Sequence, residues 1–114
     1  MSESAAPADA DQPDAEGRLR VALTGDVDIY AAEALKAQLL DQLQRALVLE
    51  LDLAEVSLID TAGMQILVLL KRTAERDGRV LKLSQHSATA AEAIHFLGLA
   101  PFFGDPLPIQ PQWT

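Results

Sequence analysis

The chain has 114 residues and a formal net charge of −8, and its length supports one domain with a single core. It contains no cysteine, which excludes disulfides, a thiol nucleophile and cysteine-based metal sites. No signal-peptide pattern begins the sequence and no apolar run is long enough to cross a membrane, so we expect a cytoplasmic protein.

The negative charge is concentrated at the N-terminus. Residues 1–16 hold five acidic residues and no Lys or Arg, which leaves nine basic against twelve acidic residues in 17–114, a charge of −3. A body without a basic stripe argues against nucleic acid, and against an anionic membrane surface, as the direct partner. Because residues 1–17 also carry few large apolar side chains, we predict that they form a disordered acidic tail.

Two hydrophobic periodicities in the sequence predict the first strand and the first helix. Apolar and polar residues alternate through 18–24 and Gly25 ends the run, which predicts a strand with one buried face. Asp28 then occupies the N-cap position of an amphipathic helix from about Ile29 to Arg45. Gln42 belongs to the polar side of this helix, which we expect to face solvent.

The second strand and helix are more apolar. Residues 46–53 predict a central strand, with Leu47 and the leucines that follow it at alternate positions on one buried face. The next helix is apolar nearly all round in its first two turns and should run to about Arg76, where Asp77-Gly78 ends it. Between the two elements lies a small polar segment from Ile59 to Met64, here called the Asp60 corner.

The remaining chain predicts one more strand, one more helix and a tail. Residues 79–84 form the strand pattern, and Ser87 is placed to cap the last helix. In that helix we expect Ala90, Ala91, Ile94 and Leu97 to face inward. Residues 100–114 contain four prolines and read as an irregular, Pro-rich C-terminal tail. Phe102 and Phe103 are placed to hold the start of this tail against the body.

Strands and helices alternate three times along the sequence. Two strand–helix–strand crossovers imply mostly parallel pairing. The predicted fold class is therefore α/β, a small mixed, mostly parallel sheet of about four strands layered with about three main helices. We expect this domain to span residues 18–99, between the two tails.

The sequence offers little that carries catalysis. No nucleophile elbow, phosphate-binding loop or zinc-protease motif is present, and His95 lies late in a helix, where a histidine is often structural. Oxygen ligands from Asp26, Asp28 and Asp60 suit a hard cation, but a helix cap and solvated loop acids account for the same residues. We therefore expect no enzyme activity, no cofactor and no bound metal.

Several motifs in order resemble the STAS family, named for sulphate transporters and anti-sigma factor antagonists. They are Gly25 to Tyr30, the helix after it, Leu49 to Leu53 and the Asp60 corner, and the resemblance covers about residues 18–99. In bacterial members of the antagonist type, the Ser or Thr after the motif Asp is phosphorylated by a partner kinase with an anti-sigma role. The unphosphorylated form binds that kinase and frees a sigma factor.

By position, the resemblance makes Thr61 the phosphoacceptor, Asp60 the acid before it and Gly63 the motif glycine. It assigns Asp26 and Asp28 to the acidic first loop. Thr61 stands where many antagonists have Ser, and Ala62 stands where Ser or Thr is frequent. The resulting hypothesis is a partner-binding surface made of Asp26, Asp28, Tyr30, Asp60, Thr61, Ala62, Gly63 and Met64.

The leading interpretation is a non-catalytic signalling protein of transcription regulation, switched by phosphorylation of Thr61 and bound by a serine/threonine kinase or anti-sigma factor. Two alternative functions stay open. The protein could instead be an accessory STAS subunit of a lipid-transport ABC complex, or a STAS protein of a chemotaxis signalling cluster. The identity of the protein partner and the oligomeric state are left open as well.

Overall fold

The computed structural model describes residues 12–104 and the backbone of Ala6–Pro7. Its elements are β1 Ala6–Pro7, β2 Arg18–Val27, α1 Ile29–Arg45, β3 Val48–Ile59, α2 Thr61–Arg76, β4 Val80–Ser84, α3 Ala88–Phe96 and α4 Ala100–Phe103. The strands form one sheet in the order β1-β2-β3-β4, in which β1 pairs antiparallel with β2 and the other pairs are parallel. The mixed, mostly parallel α/β fold is confirmed, although the strand β1 is only two residues long.

One apolar core lies on one face of the sheet. Side chains on a strand alternate between faces, so every second residue of β2, β3 and β4 points to the same side. The leucines of α1 and α2 that recur at helical spacing cover that side. The buried residues include Leu19, Val21, Leu23, Leu49, Leu51, Leu53, Leu81 and Leu83 of the sheet, and Leu35, Leu39, Leu43, Leu67 and Leu70 of the helices.

Two burial assignments predicted for α1 and for the start of β3 are wrong. Leu47 is 60% exposed, because it belongs to the connection before β3, where its backbone N–H donates to the carbonyl of Gly17. Gln42 is buried rather than solvated, because it lies three residues after Leu39 and seven after Leu35, on the same side of the helix. The apolar pattern of α1 thus underestimates the width of its buried stripe.

The length of β3 positions the functional region. The strand continues past its predicted end at residue 53 to Ile59, which lies opposite Val27 in the parallel register. Register shifts in β2 between Ala22 and Thr24 and between Gly25 and Asp26 accompany this extension. Two strand ends therefore meet at one edge of the sheet, and each is followed directly by a helix.

The C-terminal part of the domain begins with a short helix rather than an irregular tail. Within α4, Phe103 is buried and its ring meets Phe102 edge to face at 5.2 Å. The Arg72 guanidinium of α2 lies 6.0 Å from the centre of the Phe102 ring, a cation–π distance. These contacts confirm that the two phenylalanines hold this segment against the body.

The predicted disordered tail falls mainly on residues 1–5 and 8–11, which lie outside the described residues, as does 105–114 of the Pro-rich tail. Of residues 12–17, Asp14 forms a turn in which its carboxylate accepts from the backbone N–H groups of Glu16 and Arg18. The boundaries of 18–99 stay a prediction. None of the helices in the described part of the chain is long and apolar enough to span a membrane.

An ion pair joins β2 and β3 on the polar face of the sheet. Arg20 Nη2 donates to Asp52 Oδ2 at 2.8 Å, and the Ala54 N–H donates to Asp52 Oδ1 at 2.9 Å. Partial burial raises the pKa of Asp52, but the bonds from Ala54 and Arg20 outweigh it and hold the pKa below its usual value. A carboxyl with a lowered pKa stabilises the fold above its unfolded pKa of about 3.9 and loses this effect as the pH falls through the folded pKa.

We therefore expect Asp52→Asn to lower the free energy of unfolding by about 0.5–1 kcal/mol at neutral pH. The difference from the parent protein should shrink as the pH falls from about 4 through the lower folded pKa of Asp52, because below that pKa the carboxyl is protonated in both states. Urea unfolding across this pH range measures both. Asp41→Asn is the control, since Asp41 pairs with Arg45 one helical turn away on the surface of the same helix. A pH-independent difference for Asp52→Asn would refute the assignment.

Candidate functional site

The Asp60 corner lies against the segment that links β2 to α1. The Asp60 N–H donates to the Val27 carbonyl at 3.2 Å, which continues the pairing of Val27 with Ile59. The carboxyl ends of parallel strands meet at one edge of a sheet, where helix starts converge. The two acidic segments that the sequence singles out are thus adjacent in the structure.

Asp60 joins the two helices that begin there. Its Oδ1 accepts from the Gly63 N–H of α2 at 2.9 Å, as an N-cap residue does. Its Oδ2 accepts from the Ile29 N–H of α1 at 3.0 Å. Because the first N–H groups of a helix have no partner within the helix, one carboxylate here satisfies donors of two helices and fixes their relative position.

Asp28 caps only α1, as its position in the sequence predicts. Its Oδ1 accepts from the N–H groups of Tyr30 at 3.0 Å and Ala31 at 3.1 Å. Asp26 is half-buried, and its carboxylate makes no hydrogen bond or ion pair with the residues that the structure describes. Tyr30, one residue into α1, is 88% exposed. The loop therefore presents one acidic side chain and one aromatic ring outwards.

Thr61 is the exposed first residue of α2. Within the described residues its hydroxyl has no hydrogen-bond partner. The donors that would hold a negative group there are largely in use, since the Gly63 N–H donates to the Asp60 carboxylate and the Met64 N–H to the Asp60 carbonyl. Among the described residues, the N–H groups of Thr61 and Ala62 have no partner and remain available at this end of α2.

Gly63 and Met64 form the buried side of the Asp60 corner. Both were assigned to the predicted partner-binding surface, but both are buried and face the protein's own core. A Cβ on Gly63 would lie 2.1 Å from the Val27 carbonyl oxygen and 2.8 Å from Val27 Cγ1. The glycine thus allows α2 to approach the end of β2. Ala62 beside it is half-buried and lies at the rim.

Two grooves flank Thr61. The first, of about 630 Å³, separates the corner from α3 and is lined by Ile59, Asp60, Thr61, Thr89, Glu92, Ala93, Phe96 and Leu97. The second, of about 390 Å³, runs along α2 and is lined by Thr61, Met64, Gln65, Val68, Leu69, Arg72, Leu97 and Leu99. Thr61 stands where the two grooves meet, and Leu97 borders both.

The contribution of α3 to this region was missed from the sequence. Ala90, Ala91 and Ile94 face the core, whereas Phe96 is 84% exposed and Leu97 is 51% exposed. The helical spacing predicts that Leu97 faces inward with Ala90, Ala91 and Ile94; this is wrong, because Leu97 is the C-cap residue that follows the last residue of α3. Phe96 falls off the buried stripe, and that was the available signal. Large apolar side chains outside the buried stripe of a helix are candidates for an interface.

The cation site considered for Asp26, Asp28 and Asp60 is not formed. Asp28 and Asp60 direct carboxylate oxygens at backbone N–H groups. In the part of the chain that the structure describes, no group of three or more His, Cys, Asp or Glu residues is arranged to hold a metal ion. The carboxylates of this region therefore act as helix caps and as surface charge.

Comparisons with known proteins agree on the fold. The sequence model of the family described as "Mlab, STAS domain" matches residues 10–104. An anti-sigma factor antagonist from Mycobacterium paratuberculosis superposes with a TM-score of 0.78 at 20% identity, covering 96% of this chain and 92% of that one. The anti-sigma factor antagonist SpoIIAA in its unphosphorylated form superposes with a TM-score of 0.71 at 19% identity, covering 90% of each chain.

A third solved structure with this fold is named for transport. A sulfate transporter family protein from Wolinella succinogenes gives a TM-score of 0.67 at 27% identity, covering 82% of this chain and 83% of that one. A search of curated protein sequences gives no match. The likeness to the two antagonists, at 19% and 20% identity, concerns the fold alone.

Proposed function

Because this chain belongs to the STAS family, we propose that it is a non-catalytic signalling protein that binds a partner serine/threonine kinase or anti-sigma factor and is switched by phosphorylation of Thr61. The observation that carries the proposal is the position of the Thr61 hydroxyl. It is exposed at the start of α2, where two grooves meet, beside a carboxylate that fixes two helices. A kinase can reach such a hydroxyl without unfolding the domain.

The electrostatics of the corner favour an effect on the partner. A phosphothreonine carries about −1.5 to −2 charges at pH 7, and Asp60 already accepts hydrogen bonds from both helix starts. The phosphate would therefore find few free donors within the chain and would stay at the surface beside a carboxylate. A partner packed against Thr61 would have to bury that charge and bulk, which is costly.

The proposed contact surface is narrower than the eight residues that the sequence suggests. Thr61, Tyr30 and the rim at Ala62 reach solvent, and Asp26 and Asp28 add negative charge to the adjoining loop. Gly63 and Met64 hold the backbone beneath them, and their substitution would act through the fold.

Mass spectrometry tests the switch. The purified protein is incubated with ATP and candidate kinases, beginning with any serine/threonine kinase encoded near its gene, and the phosphorylated residue is mapped. We expect one phosphate on Thr61 and none on a Thr61→Ala variant. Phosphate found only at other residues would exclude the proposed switch.

Partner capture by Thr61 variants gives a second measure of the same prediction. Thr61→Glu should weaken capture about tenfold or more, because a partner must bury a carboxylate next to Asp60. Thr61→Ala should weaken it less, since it removes only a methyl group and a hydroxyl. Gln38→Glu adds the same charge on the exposed side of α1 and is the control. Equal affinities for all forms would contradict the charge-based mechanism.

A second candidate function is an accessory subunit of a membrane transport complex. It is favoured by the likeness to the Wolinella succinogenes structure, which is named a sulfate transporter family protein. This function requires co-purification with a transport ATPase that does not change on kinase treatment. The first function requires binding that kinase treatment removes, so one pull-down with and without kinase separates the two.

A further inference from the structure

We propose that the groove between the Asp60 corner and α3 holds an amphipathic helical segment of the partner protein, with apolar side chains on one face and a Lys or Arg directed at Glu92. We call it the Phe96 groove and define it by Ile59, Asp60, Thr61, Glu92, Phe96 and Leu97. The inference rests on the proposed function, which supplies a protein partner. It adds α3 to the docking surface and gives the chemistry of what binds there.

The apolar face that we assign to the occupant follows from the residues at the end of α3. Phe96 and Leu97 remain 84% and 51% exposed although the helix packs its other face into the core. Together with Ile59 they form an apolar floor and rim next to polar groups. Exposed apolar surface bordered by polar residues is typical of protein interaction sites.

The cation that we assign to the occupant follows from the charges that line the groove, above all on α3. Two acidic residues line the groove, and no Lys or Arg is among its lining residues within the described chain. The Asp60 carboxylate is already satisfied by the N–H groups of Ile29 and Gly63. Glu92 is exposed and has no hydrogen-bond or ion-pair partner among the described residues. A complementary occupant therefore brings its cation to Glu92, because unlike charges across an interface favour association.

The shape of the groove suits a helix. A volume of about 630 Å³ accommodates a few side chains rather than a folded domain, and helices commonly insert their apolar face into grooves of this kind. In this arrangement the Thr61 wall makes uncharged contact with the occupant. A phosphate on Thr61 would place its bulk where the apolar side chains of the occupant pack and would have to be desolvated there, which is consistent with the proposed switch.

A pair of synthetic peptides tests the chemistry. Both are amphipathic helices with the same leucine face, one flanked by Lys and the other by Glu, and their binding to the full chain is followed by fluorescence anisotropy and backbone NMR. We expect the Lys peptide to bind about tenfold more tightly than the Glu peptide. The amide shifts should map to Thr61, Glu92, Phe96 and Leu97.

Matched variants locate the binding. Glu92→Lys should reverse the preference between the two peptides, whereas Glu75→Lys, an identical charge change on the exposed end of α2, should leave it unchanged. Phe96→Ala should weaken the Lys peptide about tenfold or more, whereas Leu47→Ala, also at an exposed apolar residue, should not. All four positions are exposed, so the folded state is preserved.

Three results would overturn the inference: equal binding of both peptides, affinities that ignore Glu92→Lys and Phe96→Ala, or no binding of either peptide. Its failure is distinguishable from failure of the proposed function. If Thr61→Glu weakens partner capture while Glu92→Lys and Phe96→Ala leave capture intact, the Thr61 switch stands and the Phe96 groove does not take part.

Discussion

Gly63→Ala is expected to lower the free energy of unfolding by about 3 kcal/mol, although the same change in an ordinary helix interior raises it by about 1 kcal/mol. The new Cβ would lie 2.1 Å from the Val27 carbonyl oxygen. That oxygen belongs to backbone and accepts from the Asp60 N–H, so it cannot move aside without disturbing the corner. The close contact therefore outweighs the gain in helix propensity.

Urea unfolding of Gly63→Ala and of a control variant measures this effect. Gly98→Ala is the control, because its new Cβ meets nothing within 4 Å but its φ of +70° lies in the left-handed region. We expect that strain alone to cost about 1 kcal/mol. A cost for Gly63→Ala no larger than that for Gly98→Ala would show that the approach of α2 to Val27 is not tight.

Asp60→Ala is the second substitution with a large expected effect, about 2–3 kcal/mol of unfolding free energy. It leaves the N–H of Gly63 without its cap and the N–H of Ile29 without its acceptor at once. Asp60→Asn keeps a single acceptor oxygen and should cost about 1 kcal/mol, because only one of the two helix starts loses its partner. The order of stability should be Asp, then Asn, then Ala.

Asp28→Ala is the control for this series. Asp28 caps α1 alone, so its removal should cost about 1 kcal/mol, the ordinary loss of an N-cap. Chemical or thermal unfolding of the four proteins gives the comparison. If Asp60→Ala cost no more than Asp28→Ala, the bond from Ile29 to the Asp60 carboxylate would contribute nothing to stability.

Periodicity was sufficient for most of the fold. The helix from Ile29 to Arg45 and its Asp28 cap agree with the structure, as does the Ser87 cap of α3. The end of β3 was not predictable, because polar residues interrupt the apolar run after Leu53 and only pairing with β2 extends the strand to Ile59. That extension depends on contacts far apart in sequence, which a local pattern does not contain.

The sequence contained the capping role of Asp60 in the candidate site but not the contacts around it. The resemblance to the STAS family pointed to Thr61 and Asp60, and the capping pattern agreed with it. The bond from Ile29 to Asp60 joins residues 31 positions apart, so no local motif reveals it. The sequence places Gly63 on the partner-binding surface, whereas in the structure its missing Cβ leaves room for the backbone of Val27.

The proposed switch is tested most directly by titrating a purified partner kinase or anti-sigma factor into the protein before and after complete phosphorylation at Thr61. Calorimetry gives the two affinities, and circular dichroism checks that the domain keeps its fold. We expect binding at least about tenfold weaker after phosphorylation, with an unchanged spectrum. Equal affinities of the two forms, with the phosphate verified on Thr61, would contradict the switch.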